Sequence, residues 1–501
     1  PDRMLPTITT FHALGYDILK RHGDDKPLID EAARTDIIRG LPKPAALKGL
    51  HARELSLIIS RAKTSLEQPA DKAVSSLLQH YEAALAEQNA YDFDDLLRKT
   101  YDVLRQQSGK QARYTYLLAD EFQDTSELQY ELLKLLAATT NIFAIGDPNQ
   151  SIYAFRGAGA EVFTQFKADF PKLQTIGLTT NYRSRPEIVA LANAVFPKGL
   201  QLEAHRTDHS QVQATKTLNE YSEAAYVIAA VERGIGGSDM LKAHTDDMAR
   251  QPRDYAVLYR THRAGRVLQK AFADSGIPYQ VAGDGSPYHR PEIQAIIAVL
   301  AYLNDPKQVP LPTIGNLTAG QVTALLKQLP GRKNVCDRVA DIAAAFGLEN
   351  DHAMQQFSST LVQFGNDTAA ALKHIDDISE SDFYDPTING VTLLTIHASK
   401  GLEFEHVFLC AAEEETLPKL NTKGEGNVDE ERRLFYVAVT RAEEALDIIY
   451  TKTRSGKPAK PSRFVEDLPA AVLPHQTDPA MPALEKRLKK RAAKRAQSSL
   501  F

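Results

Sequence analysis

The sequence predicts an α/β fold with two parallel sheets: short apolar strands alternate with amphipathic helices, and the strands fall into two clusters. The strand-like runs are Tyr116–Ala119, Ile142–Ile145, Tyr255–Tyr259, Val391–Ile396, His406–Cys410 and Ala445–Tyr450, each ending in a polar or small-residue turn. Unbroken apolar runs of this kind suit strands covered on both faces. Helical periodicity is predicted over Glu127–Leu136, Pro186–Val195, Arg266–Ser275, Pro291–Leu303 and Asp429–Glu444. One cluster lies before about residue 195 and the other after it. Two Ala- and Leu-rich stretches, roughly 17–98 and 304–385, interrupt the alternation and are expected to be helical insertions.

At 501 residues the chain has room for roughly three domains of ordinary size. Its formal charge of −5 does not advertise a polyanion binder. The charge is unevenly placed, however: Leu484–Arg495 holds seven basic residues and one acid, a net of +6, which leaves the rest at −11. Two cysteines, Cys336 and Cys410, exclude a disulfide framework and a zinc cluster, so a reducing cytoplasm is expected. No apolar run is long enough to span a membrane. Tryptophan is absent, and the first residue is Pro1 rather than Met, so an upstream segment is expected.

Chemistry concentrates after the first strands. Tyr116–Ala119 is followed by Asp120-Glu121-Phe122-Gln123-Asp124, adjacent carboxylates at a strand's carboxyl end, where open α/β sheets bind ligands. An Asp there suits Mg²⁺, and a neighbouring Glu suits activation of a water that attacks a γ-phosphate. The second strand runs into Gly146-Asp147-Pro148-Asn149-Gln150 and on to Tyr153, Phe155, Arg156 and Gly157. Gln150 is placed to sense a terminal phosphate, and Tyr153 and Phe155 offer flat faces for bases.

These two strings resemble motifs II and III of UvrD/Rep-type superfamily-one DNA helicases. Further strings match the family in the same order: Thr10-Phe11-His12, Asp92-Phe93-Asp94-Asp95-Leu96, Asn181-Tyr182-Arg183-Ser184, Tyr255–Arg260 through Gly276–Tyr279, Thr395–Phe404 and Glu430–Ala442. The similarity spans Thr9 to Tyr450. It implies two RecA-like parallel-sheet domains with helical insertions, the P-loop NTPase helicase architecture. The expected layout is a first domain at 1–16 and 99–195, with its insertion at 17–98. The second domain is expected at 196–303 and 386–455, with a shortened insertion at 304–385. A Pro-rich linker at 456–483 and a basic tail at 484–501 follow.

The resemblance also implies the site. Asp120 would hold Mg²⁺, Glu121 would activate water, and Gln150 would contact the γ-phosphate of ATP. Arg183 and Arg441 would neutralise phosphoryl charge from the two sides of the cleft. Tyr182 would stack on adenine, and Glu403, next to Gly401, would take the ribose hydroxyls. Thr10, His12, Tyr153, Phe155, Arg156 and His397 would contact single-stranded DNA. The implied activity is ATP-driven 3′-to-5′ movement on single strands and at duplex junctions in repair or recombination.

The sequence departs from the family in three places. No G-x-x-x-x-G-K-[ST] string occurs; Ser108-Gly109-Lys110-Gln111 and Ser455-Gly456-Lys457-Pro458 lack its first glycine and its terminal hydroxyl. The chain as given is therefore expected not to hydrolyse ATP efficiently, whereas the full-length protein is expected to do so. The second insertion is short, and Phe155 stands where relatives often carry Trp. Two alternatives stay open: a non-catalytic DNA-binding relative, and the helicase part of a larger helicase–nuclease. The terminal Gln497-Ser498-Ser499-Leu500-Phe501 resembles peptides that dock on the bacterial sliding clamp.

Overall fold

The computed structural model describes residues 6–106, 114–137, 140–154, 157–159, 161–236, 250–282, 291–304, 306, 311, 319–329, 334–345, 354, 357–358, 361, 364–372, 375, 384–420 and 426–487. Two compact units divide the chain, Pro1–Ile176 and Gly177–Phe501. Phe155, Arg156, Gln497, Leu500 and Phe501 lie outside the described residues.

In the first unit, helices Phe11–Arg21 and Phe93–Gln106 pack closely where Gly15 admits Thr100; a Cβ at Gly15 would lie 2.9 Å from Thr100 Oγ1. Helices Glu31–Gly40, Ala52–Thr64 and Lys72–Glu87 form the first insertion around Ile38, Leu55, Ile59, Leu77 and Tyr81. A buried ion network fastens this insertion to the chain leading into helix Phe93–Gln106. Lys63 meets Asp92 at 2.8 Å and Asp95 at 2.7 Å, and Arg34 meets Asp94 at 2.9 Å. Charges so buried are tolerable only because each is paired.

Strands β1 (Tyr116–Ala119) and β2 (Asn141–Ala144) form a parallel pair in which Leu118 faces Phe143. Helices Glu127–Ala137 and Glu161–Asp169 cover one face through Tyr130, Val162 and Phe166, with Phe122 between them. On the other face Tyr116, Leu118 and Phe143 are 67%, 75% and 56% exposed.

The second unit opens with two short parallel strands, β3 (Thr180–Asn181) and β4 (Glu203–Ala204). Then follow β5 (Gln211–Thr217), β6 (Tyr255–Tyr259), β7 (Tyr279–Ala282), β8 (Val391–Thr395), β9 (Phe404–Cys410) and β10 (Ala442–Thr451). A hairpin of β11 (Thr453–Arg454) and β12 (Lys457–Pro458) precedes β13 (His475–Thr477). Seven strands make one all-parallel sheet in the order β13-β5-β10-β9-β6-β8-β7. All five residues of β6 are buried, the pattern of a sheet covered on both faces. Helices Glu220–Gly234 and His262–Ser275 pack Val227, Val231, Leu268 and Phe272 against Val257, Leu393 and Phe408.

The expected α/β class is present, with several differences in detail. Residues 177–195 group with the second unit, not the first, because their loop is tied there. Ser184 Oγ donates to Ala442 O at 2.7 Å, and Arg185 N donates to Glu443 O at 3.0 Å. The helix expected over Asp429–Glu444 spans Val428–Val439, since Ala442 already begins β10. Helix Pro291–Asn304 belongs with the second insertion: Ile293, Ile296, Val299 and Leu300 share a core with Val335, Val339, Phe357 and Leu361.

The expected linker at 456–483 is folded. It supplies β12, a helical turn Arg463–Glu466 with Phe464 and Val465 buried, and β13 on the sheet edge. Pro458 lies within the short strand β12, and Pro474 precedes β13, its carbonyl accepting from Ala214 N at 2.8 Å. Strand β5 was not expected because Gln213, Thr215 and Thr217 read as polar. Asp447 accounts for two of them, accepting from Thr215 Oγ1 at 2.7 Å and from Gln213 Nε2 at 2.8 Å.

Candidate functional site

In the first unit the acidic pair stands at the carboxyl end of β1, as its sequence position predicts. Asp120 Oδ1 accepts from Glu121 N at 2.9 Å, and Glu121 adopts a left-handed backbone, φ +49° and ψ +43°. That conformation is unfavourable for a residue with a Cβ, and such strain clusters at functional sites. Both side chains are exposed. The turn after β2 lies beside them: Phe122 N donates to Ile145 O at 2.9 Å, and Gln150 Nε2 donates to Asp147 Oδ2 at 3.1 Å. Asp120, Glu121 and Gln150 thus belong to one pair of neighbouring turns.

The residues expected to meet DNA in this unit are partly grouped. Thr10 caps helix Phe11–Arg21 by accepting from Ala13 N at 3.2 Å. His12 meets Phe93 edge-on at 5.9 Å, and Phe93 is 51% exposed. Burial holds His12 below the usual imidazole range against the pull of Asp94, so near neutral pH its ring is uncharged. Phe93 lies within a family-like string that implies no role for it; its exposure beside His12 adds a flat face there. Tyr153 is half-buried in the turn after Gln150.

In the second unit the loop after β3 is shaped by Asn181, whose Oδ1 accepts from Arg183 N at 3.0 Å and Ser184 N at 2.8 Å. Arg183 pairs with Glu403 and donates to Thr440 O at 3.3 Å. Arg183 and Arg441 therefore sit in the same unit, a correction to their expected placement on two sides. Arg441 is 2% exposed. Its Nε donates to Val437 O at 3.1 Å, Nη1 to Leu402 O at 3.0 Å and Nη2 to Thr440 Oγ1 at 3.2 Å. Tyr182 is 70% exposed and lies 4.7 Å from the His205 ring, a neighbour that the sequence did not single out.

Gly401 has φ +83°, which favours glycine, and leads the chain from the turn after β8 into Glu403. His397 is half-buried in that turn, at the carboxyl end of β8, whereas Glu403 and Arg441 immediately precede β9 and β10. Around them lie further ion pairs, Arg185–Glu444 at 3.0 Å, Arg206–Glu444 at 2.9 Å and Arg250–Glu444 at 3.4 Å. Burial raises Glu444, but the hydrogen bond from Arg206 and the surrounding arginines win and hold it below the carboxylate range. Glu443 is pushed up by burial and by the Glu403 charge.

Asp120, an exposed hard-oxygen donor at a strand end, fits Mg²⁺ by ligand chemistry. Among the described residues no cluster of three or more His, Cys, Asp or Glu suits a metal. No described helix is long and apolar enough to cross a membrane.

Residues 4–171 match the UvrD/REP helicase N-terminal domain, and residues 176–324 and 348–453 match the UvrD-like helicase C-terminal domain. The ATP-dependent DNA helicase PcrA of Staphylococcus aureus (strain MRSA252) is 28% identical over 93% of this chain and 76% of its own length. The PcrA of Staphylococcus epidermidis (strain RP62A) is 28% identical over 94% and 77%. Among solved structures, the C-terminal domain of a possible DNA helicase from Lactobacillus plantarun WCFS1 aligns with 59% of this chain and 98% of its own. That alignment has 13% identity and a TM-score of 0.27. With both halves of the chain matched, and with the α/β sheets those domains require, the protein belongs to the UvrD/REP helicase family.

Proposed function

We propose that the protein is an ATP-dependent DNA helicase that moves 3′-to-5′ on single-stranded DNA in repair or recombination. The observation that carries this reading is the first unit's pair of joined turns. One holds Asp120 and Glu121 and the other holds Gln150, with Tyr153 following a few residues on. Hydrolysis and strand contact are thereby assigned to adjacent backbone.

ATP with Mg²⁺ supplies the scissile phosphoanhydride and a charge clamp on its oxygens. Asp120 holds the cation, and Glu121 accepts the proton of the attacking water. Gln150 donates an amide hydrogen to the terminal phosphate. Arg183 offers a planar cation to spreading negative charge, for which it must exchange Glu403. Tyr182 presents its exposed face to the base, and Glu403, once released, is an acceptor for the ribose hydroxyls. Thr10, His12, Tyr153, Phe155, Arg156 and His397 are the strand contacts, binding by stacking and by local phosphate contacts. The terminal Gln497, Leu500 and Phe501 are proposed to dock on the sliding clamp.

The test uses the full-length gene product, because these 501 residues contain no G-x-x-x-x-G-K-[ST] string. Glu121→Gln is expected to abolish ATP turnover stimulated by single-stranded DNA while sparing nucleotide binding; wild-type turnover in that variant overturns the assignment. Polarity is read from strand displacement on substrates carrying a 3′ or a 5′ tail, and displacement only from the 5′ tail rejects the direction. Leu500→Ala with Phe501→Ala is expected to abolish clamp capture in a pull-down, and unchanged capture rejects that contact.

A further inference from the structure

Gln123 follows Glu121 by two residues and is fully buried, at 0% exposure. Its amide is used at both ends. Nε2 donates to Glu121 Oε2, and Oε1 accepts from Asp147 N at 3.0 Å. A carboxylate only accepts and a backbone N–H only donates, so the two partners fix which way the amide points. Burying an amide is costly unless its hydrogen bonds are made, and an apolar side chain of the same length would fill the space without that cost. The choice of glutamine is therefore explained by the two turns it joins.

The surroundings maintain this link. The Gln123 carbonyl accepts from Ser151 Oγ at 3.2 Å. A Cβ at Gly146 would strike Gln123 Oε1 and lie 3.0 Å from Phe122 N, so only glycine leaves the amide room. Asp147 continues the path, accepting from Asn149 N at 2.9 Å and from Gln150 Nε2 at 3.1 Å. Glu121, Gln123, Asp147 and Gln150 thus form a continuous hydrogen-bonded chain, with Tyr153 three residues on in the sequence.

We propose that Gln123 is a positioning residue that transmits occupancy of the turn at 147–153 by single-stranded DNA to the carboxylate of Glu121. The inference rests on the reading of Glu121 as the group that activates water. When the strand shifts this turn, Asp147 N moves, the Gln123 amide moves with it, and Glu121 is drawn into line. A misplacement of about 1 Å at such a carboxylate costs on the order of 100-fold in rate, ample range for regulation.

The test compares the full-length protein with Gln123→Met, Gly146→Ala and Glu121→Gln, using oligo(dT) as the strand. Gln123→Met keeps the length of the side chain and removes both hydrogen bonds. The ratio of kcat with and without oligo(dT) is expected to fall by about 10-fold or more, with KM for ATP and Kd for oligo(dT) within about 2-fold. Gly146→Ala displaces the amide from the other side and is expected to lower the same ratio; it carries the test if Gln123→Met does not fold. A packing role alone lowers both rates in proportion, so an unchanged ratio overturns the relay. If Glu121→Gln is inactive and the ratio in Gln123→Met is unchanged, only the relay fails. Should Glu121→Gln turn over ATP like the wild type, the underlying reading fails as well.

Discussion

The first unit carries Asp120, Glu121 and Gln150 at the carboxyl ends of β1 and β2, whereas the second carries Glu403 and Arg441 at the amino ends of β9 and β10. The acids follow the rule that open α/β sheets bind ligands beyond the carboxyl ends of their strands. The second unit breaks that rule for Glu403 and Arg441 and keeps it for Arg183, in the loop after β3, and for His397, which follows β8. Its sheet therefore separates Glu403 and Arg441 from His397 by the length of its strands. In the first unit both assignments share two adjacent turns. On the proposed assignments coupling in the first unit runs through a single side chain, while in the second it runs along the segment that joins His397 to Glu403.

Arg183→Ala tests the charge side of this contrast and has the largest expected effect. Removing an arginine that meets transferring phosphate costs on the order of 10³-fold in turnover. DNA-stimulated ATP hydrolysis of the full-length protein is expected to drop by that order with little change in melting temperature. Arg441→Ala is expected to do more to the fold, since Leu402 O loses its donor inside the unit while Val437 O keeps the Thr440 hydroxyl. Each buried carbonyl left unpaired costs about 1–3 kcal/mol. A melting temperature unchanged in Arg441→Ala would show that these bonds are exchangeable, and would return Arg441 to the same footing as Arg183.

Packing differs as sharply as placement. Leu393 of β8 is fully buried, and Leu118 of β1 is 75% exposed. Leu393→Ala is expected to destabilise the second unit by about 2–5 kcal/mol. Leu118→Ala is expected to change the first by no more than about 0.5 kcal/mol. Urea unfolding of the 501-residue chain reads both. A large cost at Leu118 would mean that the outer face of β1 and β2 is covered in solution, and the contrast between the two sheets would disappear.

What the sequence disclosed follows the same division. Runs such as Tyr255–Tyr259 are apolar throughout because both faces are covered, so strand and core could be read together. Asp120 and Glu121 were legible because a charged pair cannot extend a buried strand and must end it. The polar strand β5 was not legible: Thr215 lies inside only because Asp447, more than 200 residues away, accepts its hydroxyl hydrogen. Nor was the burial of Arg441, whose acceptors are backbone carbonyls that no side-chain pattern encodes. Gln123 was within a quoted motif, yet its role depends on Asp147 N, a group every residue but proline carries. The prolines of 456–483 suggested a linker because proline breaks a ladder, but on a sheet edge it need only stand beside one.

The smallest expected effect concerns titration, where the covered sheet again differs from the bare one. Tyr116 is the only titratable residue on β1 and β2, while β9 carries His406 inside the second unit. The His406 ring stacks on Phe408 at 4.4 Å, and its Nδ1 has no hydrogen-bond partner among the described residues. Burial, and then the charge of Arg250, push it down to about 3. The unfolded chain takes up this proton below about pH 6.5 and the folded chain does not, so stability falls with pH from there toward 3. The slope is at most about 1.4 kcal/mol per pH unit. Glu223 has the opposite sign. Burial, opposed by Arg454 and aided by Glu413, raises it to about 7, so the folded chain keeps a proton that the unfolded chain releases above about pH 4.5. Stability from this group falls as pH rises from 4.5 to 7. Between pH 4.5 and 6.5 the two slopes oppose each other, and the raised carboxyls of Glu405, Glu443 and Asp447 act in the same direction as Glu223. His406→Phe removes one of them, so its urea midpoint is expected to decline as pH rises across that window. Parallel curves for variant and wild type would place His406 in contact with water and leave the covering of the sheet incomplete at β9.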